Sequence, residues 1–313
     1  MGSQTDHKIP TVDFSNEENL KPGSDSWALA CKQVRYGLEE YGCFQAVYDK
    51  IPTQVYDSAF LAAQELFDLP TETKIQKTSE IPGPNYVGQN FNLSMYESLV
   101  LDEPSTFEGA ESFTKIMWPM GNDNFRESVR SFSKPVEELY QRAARIVFDS
   151  FGVGRLHESN VESTVFRLRL FRYNAPQANQ AEEGLPTHTD VSFITVLHQH
   201  QVKGLQVKTK DDQYIDIKPN LSSFLFMAGD PFLAWSNGRA RACVHRVMLE
   251  ERKVRYSFGF NSFIKGLLHV PQEMVDEKYP LRYEPIDHYK FVNDVFADGG
   301  KRYSTNPIKA TDV

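Results

Sequence analysis

Cysteine is scarce. Cys31, Cys43 and Cys243 are the three among 313 residues, and none stands in a C-x-x-C pair. An odd, sparse set builds no disulfide framework and fits a reducing compartment. Long apolar runs are missing too: none approaches the ~18 residues of a membrane helix. Met1–Asp6 holds no apolar stretch, so no secretory signal is expected, and Asp6 stands where a myristoylation pattern wants Ser or Thr. The expectation is a soluble, cytoplasmic protein. Positive charge is also in deficit, with 34 Lys and Arg against 42 Asp and Glu, a net charge of −8 and no basic block. Such a chain is poorly suited to a phosphate backbone, so neither a nucleic-acid nor a membrane partner is expected. Internal repeats, low-complexity tracts and linkers are absent as well, which favours one domain over 1–313.

What is present is aromatic. The chain carries 22 Phe, 14 Tyr and 3 Trp, enough to fill a sizeable core and to exclude disorder as the main state. Thr11–Phe14 reads as a short strand, and Trp27, Cys31, Val34, Leu38 and Tyr41 form a helical stripe that Gly42 ends. Cys43–Tyr48 reads as a strand, and 53–68 as a helix stopped by Pro70. Residues 80–124, with Pro82, Gly83, Pro84, Gly88 and Gly121, read as a long irregular region. Phe125, Val129, Phe132, Val136, Leu139, Ala143 and Ile146 make the longest helical stripe, which Pro135 is expected to kink or divide. From about 163 the pattern turns to period 2. Phe166–Leu170 is followed by short β-type runs at 190–197, 204–208, 213–217, 222–227, 243–249 and 254–262. Turn residues such as Gly229-Asp230-Pro231 separate them, which points to an antiparallel sandwich or barrel. A last helix is expected over Tyr289–Ala297.

His188-Thr189-Asp190 is the local feature with chemical potential. On a strand, positions i and i+2 share a face, so an imidazole and a carboxylate would stand side by side. His245, in a later strand-like run, is a candidate third ligand. Two His and one carboxylate on one face of an iron leave positions open for a bidentate co-substrate and O₂. An H-x-D pair alone is common, and the surrounding residues decide the reading. His188–Thr195 is followed by Val202–Val207, Gly229-Asp230, Trp235–Gly238, His245–Val247 and Arg255–Ser257. In that order and spacing the set closely resembles the plant iron(II)/2-oxoglutarate-dependent dioxygenase superfamily. Ile9–Phe14 and Tyr41–Phe44 resemble that family's N-terminal segments, so the likeness spans essentially the whole chain. Within it, Leu20–Gly23, Leu66–Pro70, Tyr86–Gln89, Glu111–Thr114 and Trp118-Pro119 are most similar to the glucosinolate-side-chain dioxygenases, which form alkenyl or hydroxyalkyl side chains.

The resemblance implies a mainly β fold with α: a double-stranded β-helix (jelly roll) core over 161–270, a helical N-terminal region over 1–160 and a C-terminal segment over 271–313. It implies that His188, Asp190 and His245 hold Fe(II), and that Arg255 pairs with the distal carboxylate of 2-oxoglutarate. A guanidinium fork suits a carboxylate because two parallel N–H donors match its two oxygens. Ser257, two residues on, shares that face and is placed to donate a further hydrogen bond. In Arg169–Asn174 the family's R-x-N-x-Y-P pattern keeps Arg169 and Tyr173, while Phe171 replaces its Asn and Asn174 its Pro. Tyr173 is therefore a co-substrate candidate, and Phe171 makes one wall more apolar. By position alone, Tyr86, Tyr96, Phe193 and Phe291 are further substrate-pocket candidates, with Val295 and Phe296 beside Phe291. His198 and His200 read as exposed strand-end residues, and Trp235–Gly238 as a structural turn. The implied activity converts O₂ and 2-oxoglutarate to succinate and CO₂ while a small specialised plant metabolite is hydroxylated, demethylated or desaturated. Ascorbate is expected as reductant, and a monomer is expected. An ascorbate-using iron oxidase of the same superfamily, a metal-dependent hydrolase and a non-catalytic binding protein are the rivals.

Overall fold

A computed structural model describes residues 7–16, 20–88, 95–177, 181–297 and 308. Gln89, the last residue of the Tyr86–Gln89 segment, and Met1–Asp6 lie outside the described residues. The N-terminal half forms β1 (Thr11–Asp13), α1 (Asp25–Glu40), β2 (Cys43–Val47), α2 (Thr53–Phe67), a single turn α3 (Thr71–Lys74), β3 (Tyr86–Val87), β4 (Tyr96–Asp102), α4 (Phe107–Met117), α5 (Asp123–Ser150) and α6 (His157–Ser163). Beyond it come β5 (Thr164–Tyr173), β6 (Glu182–His188), β7 (Ile194–Gln199), β8 (Leu205–Lys208), β9 (Tyr214–Asp216), β10 (Ser223–Ala228) and α7 (Asp230–Trp235). The chain continues through β11 (His245–Leu249), β12 (Arg255–Ile264), β13 (Leu267–Leu268), β14 (Ile286–Asp287) and α8 (His288–Phe296).

Two sheets face each other. The larger has the order β1-β2-β10-β7-β12-β5-β4-β3, and the smaller β6-β11-β8-β9. Every pairing in them is antiparallel except that of β1 with β2. Period-2 alternation sorts the large sheet's side chains. Phe166, Val196, Phe226, Phe258 and Phe260 belong to the core cluster shared with α1, α2 and α5. Phe60 stacks on Phe258 at 4.2 Å and Phe44 on Phe226 at 5.0 Å. The residues between them, Arg169, Phe171, Tyr173, Ser257 and Gly259, line a cavity between the sheets.

The helices form where the apolar stripes are. Ser24 caps α1 by accepting from the backbone N–H of Trp27 at 3.1 Å. Gly42 follows with φ +71, and a Cβ there would stand 2.6 Å from the backbone nitrogen of Cys243, so the helix end is also pressed against the chain entering β11.

Four expectations are corrected. Residues 80–124 hold β3, β4 and α4; Leu99, Val100 and Leu101 are fully buried, so β4 shows no alternation to read. Pro135 does not divide α5, a helix of 28 residues, because the continuous buried face from Phe125 to Phe148 outweighs one lost backbone bond. Asp230-Pro231 opens α7 rather than a turn, with Pro in the first helical turn, where its missing N–H costs nothing. The strand expected at 190–197 begins at Ile194, and β6, with its Glu-Glu-Gly start and Pro186, was not anticipated. Trp235–Gly238 does form a structural turn: Asn237, at φ 56, donates to the carbonyls of Met274, Tyr279 and Pro280.

Candidate metal and co-substrate site

His188 is the last residue of β6, and His245 is the first of β11, directly opposite it in register. Asp190 is not on the strand with His188; it lies in the turn leading to β7. That turn is fastened from three sides. At the start of α7 the N–H of Asp230 donates to Asp190 O at 2.9 Å, and the N–H of Gly229 to Phe193 O at 3.1 Å. From β12, Ser262 O accepts from the N–H of Phe193 at 2.9 Å. From α8, His288 Nε2 donates to Val191 O at 2.8 Å. Phe193 itself is fully buried, with its ring 5.0 Å from Phe232 and 5.5 Å from Trp235. It anchors the turn and does not line the cavity, which corrects its assignment to the substrate pocket.

The imidazole tautomers follow from their partners. His188 Nδ1 lies 2.8 Å from Pro186 O and His245 Nδ1 lies 3.1 Å from Cys243 O. A carbonyl can only accept, so both Nδ1 atoms carry the proton and both Nε2 atoms present lone pairs. Those Nε2 atoms stand 3.6 Å and 3.9 Å from Asp190 Oδ1. One ligand atom from each residue lies within 4.8 Å of the others. Asp190 Oδ2 accepts from Thr195 Oγ1 at 2.6 Å, and Thr195 Oγ1 in turn accepts from Asn261 Nδ2 at 2.8 Å. Burial works to raise the Asp190 carboxyl, but positive charge at the His245 and His188 positions, where a metal cation would also sit, and the Thr195 hydroxyl hold it well below the usual carboxylate range. Beside it, burial pushes the Asp230 carboxyl up to about 7, against a hydrogen bond accepted from Thr189 Oγ1 at 2.8 Å and with the Asp190 charge adding to the rise. Two neutral imidazole nitrogens, one ionised carboxylate and supporting hydrogen bonds make a donor set that fits iron(II).

At the other end of the same cavity sits Arg255, fully buried. Its Nη1 donates to Ser257 Oγ at 3.2 Å, its Nη2 donates to Gln199 Oε1 at 2.8 Å, and its guanidinium lies 4.9 Å from the Tyr173 ring centroid. Nε has no partner, and among the described residues no carboxylate pairs with this cation. Burial lowers its pKa, with Tyr173 opposing, yet an arginine stays charged. A buried, uncompensated guanidinium with an idle N–H fits an anionic ligand.

The remaining positions sort clearly. Phe171 and Tyr96 line the cavity, with ring centroids 6.4 Å apart, and Phe171 stacks on Tyr173 at 6.0 Å. Tyr86 does not line it; its hydroxyl donates to Glu97 at 2.8 Å. Phe291 packs with Ile81, Val165 and Val292, while Val295 and Phe296 reach the cavity. Both readings by position are thereby corrected: on α8, residues 295 and 296, not 291, face the cavity. His198 is not exposed but buried, its ring 4.9 Å from both Tyr56 and Phe224; His200 is half-buried and stacks on Phe60 at 4.1 Å. Thr195 and Asp230 stand in the quoted motif runs without an assigned role, and Asn261 and Gln199 are not singled out by the sequence. Strand parity is the signal that finds two of them: counting by twos from Gln199 reaches Thr195, on the face that meets Ser257.

Set against known proteins, the chain is 37 % identical over 302 residues to the probable 2-oxoglutarate-dependent dioxygenase AOP1.2 of Arabidopsis thaliana, covering 94 % of this chain and 92 % of that protein. Residues 165–263 match the family described as the 2OG-Fe(II) oxygenase superfamily. The chain belongs to the 2OG-Fe(II) oxygenase superfamily. Residues 9–108 match that described as the N-terminal part of a non-haem dioxygenase in morphine synthesis. Among solved structures, a rice dioxygenase for auxin oxidation superimposes with a TM-score of 0.78 at 26 % identity, covering 94 % of this chain and 98 % of that one. The Arabidopsis thaliana dioxygenase for auxin oxidation 1, in a 2-oxoglutarate binary complex, gives 0.75 at 25 % identity, covering 87 % and 100 %. The jelly-roll architecture is therefore that of other 2OG-Fe(II) oxygenases, and this chain is an iron(II)- and 2-oxoglutarate-dependent dioxygenase. Among the described residues no helix is long and apolar enough to cross a membrane.

Proposed function

We propose that His188, Asp190 and His245 hold the iron of this oxygenase, and that Arg255 and Ser257 take the distal carboxylate of 2-oxoglutarate while Tyr173 packs on the guanidinium. The observation that carries this reading is the buried Arg255: it lacks a carboxylate partner among the described residues and shares one cavity with the three ligand-type side chains. The relative solved in complex with 2-oxoglutarate supports it. Iron(II) with 2-oxoglutarate and O₂ supplies the oxidising chemistry that abstracts hydrogen from unactivated C–H bonds. The chain's own residues bind, orient and exclude water. Tyr96, Phe171, Leu185, Val247, Phe263 and Phe296 give the cavity an apolar wall beside the polar Arg169 and Asn261, suited to a small metabolite with an apolar body. Hydroxylation is the default outcome, with demethylation or desaturation set by how the substrate is held.

A monomer working as one domain completes the reading; β1–β4 from the N-terminal region extend the same sheet as β5, β7, β10 and β12, which favours one domain. The free Cys31, Cys43 and Cys243 support a cytoplasmic location. A substrate-dependent succinate assay over a panel of small plant metabolites tests the reading. Succinate that rises with one panel member supports it. Turnover without succinate would favour the ascorbate-using oxidase instead.

A further inference from the structure

An arginine recognises a carboxylate well only when its planar fork is held still. This inference rests on the co-substrate reading of Arg255 and concerns what holds that fork. Gln199, 5 % exposed, ends β7 directly opposite Ser257 of β12. Its Oε1 accepts from Arg255 Nη2 at 2.8 Å and from the N–H of Leu205 at 3.3 Å, and its Nε2 donates to Ile217 O at 2.8 Å. Ile217 O can only accept, while the Leu205 N–H and the guanidinium can only donate. A flipped amide would lose all three contacts, so the amide has one orientation. The acceptor it offers to Arg255 is therefore fixed in place and electrically neutral.

Neutrality matters as much as position. A carboxylate at the same place would pair with the guanidinium and cancel the charge that attracts the co-substrate. Gly204, beside Leu205, leaves room for the guanidinium: a Cβ there would stand 3.2 Å from Arg255 Nε and 2.8 Å from Met248 O. We propose that Gln199 is a positioning residue for 2-oxoglutarate binding, holding the Arg255 fork by a neutral hydrogen bond so that its full charge stays available to the distal carboxylate.

The test compares wild type, Gln199→Met and Gln199→Glu. The 2-oxoglutarate Kd is measured on iron(II)-loaded protein kept anaerobic, with metal content, and the KM for 2-oxoglutarate and kcat are measured from succinate formation. The methionine variant keeps the volume and removes the acceptor; Kd and KM should rise about tenfold, the equivalent of one charge-assisted hydrogen bond, with metal content and kcat at saturation near wild type. The glutamate variant keeps the acceptor but adds charge, so its loss should be at least as large. If the methionine variant fails to fold, the glutamate variant, of equal volume, carries the test. A merely structural glutamine would lower the Tm of both variants and leave Kd within about twofold, which overturns the proposal. Wild type that binds no 2-oxoglutarate overturns the co-substrate reading and this inference with it. Overlapping curves from a wild type that does bind overturn this inference alone.

Discussion

His188 and His245 are cross-strand partners, placed opposite each other by the register of β6 and β11 with ring centroids 4.2 Å apart. Each ring is turned the same way by a carbonyl two residues before it in the chain, Pro186 O for one and Cys243 O for the other. The two imidazole ligands thus depend on strand pairing, while Asp190 depends on a turn held by side chains. This difference in support sets the first expectation.

Thr195→Val removes the 2.6 Å hydrogen bond to Asp190 Oδ2 and leaves Asn261 Nδ2 without its acceptor, at nearly constant volume. Loss of a partner that orients a metal ligand typically costs 10–100-fold in metal affinity. An iron(II) titration of the variant should show a fall of roughly that size, while His188 and His245 keep their backbone partners. Unchanged affinity would mean that the turn alone orients Asp190.

His198 and His288 make the fold sensitive to acid. Burial pushes both imidazoles down to about 4, from an ordinary value of 6.5. For His198 the hydrogen bond to Ser223 O opposes the shift and neighbouring His200 adds to it; for His288 the hydrogen bond to Val191 O and the Asp287 charge oppose it. The unfolded chain takes up a proton at each site below about 6.5, whereas the folded chain resists until about 4, so stability falls as pH drops through that window. Each site accounts for at most roughly 3 kcal/mol. Denaturant melts between pH 7 and 4 should show the slope. His198→Phe, which keeps an aromatic ring between Tyr56 and Phe224, should flatten part of it. Parallel pH curves for the two proteins would remove His198 from the account.

Phe171→Asn tests the apolar wall. Phe171 faces the cavity from β5 and is only partly buried by Tyr96 and Tyr173. A substrate packed on that ring should lose about tenfold in KM, since burying such a side chain stabilises by roughly 1.5–3 kcal/mol and 1.4 kcal/mol is a factor of ten. The 2-oxoglutarate KM should change less. An unaltered substrate KM would reduce Phe171 to packing.

Much of this architecture is legible in the residues themselves, and the illegible parts share a cause. Strands β5 and β12 show in the alternation of Phe166–Leu170 and Arg255–Phe260, because one face meets the helices and the other the cavity. Strand β4 hides because Leu99, Val100 and Leu101 are buried on both faces and Pro82–Pro84 precede it. The triad and the Arg255/Ser257 pair stand out through their order and spacing along the chain. Proximity along the chain misleads for Phe193, three residues after Asp190, because the turn reverses there and sends its ring into the core. Histidines 198 and 200 end a strand that α2 covers, and nothing in their own neighbourhood announces that helix. Gln199 has no local signal beyond its parity, since its partners, Leu205, Ile217 and Arg255, come from three other segments that meet only in the fold.

Arg255→Lys separates charge from geometry. Lysine keeps the cation and loses the fork, together with the contacts to Ser257 and Gln199. A charge-assisted hydrogen bond contributes about 1.5–3 kcal/mol, so the apparent KM for 2-oxoglutarate should rise roughly ten- to a hundredfold with iron binding unchanged. Superimposable 2-oxoglutarate curves would take Arg255 out of the site.

The most direct measurement is an anaerobic titration of wild type, His188→Ala and His245→Ala with iron(II) in the presence of 2-oxoglutarate, followed by admission of O₂ with the panel metabolite that raises succinate, and assay of succinate. The hydrogen bonds to Pro186 O and Cys243 O are worth about 1 kcal/mol each, and circular dichroism should confirm that the alanine variants fold. The account predicts one tightly bound iron and succinate formation in wild type, and neither in the folded alanine variants. An alanine variant that still binds iron tightly and still forms succinate would contradict the assignment of the metal to His188, Asp190 and His245.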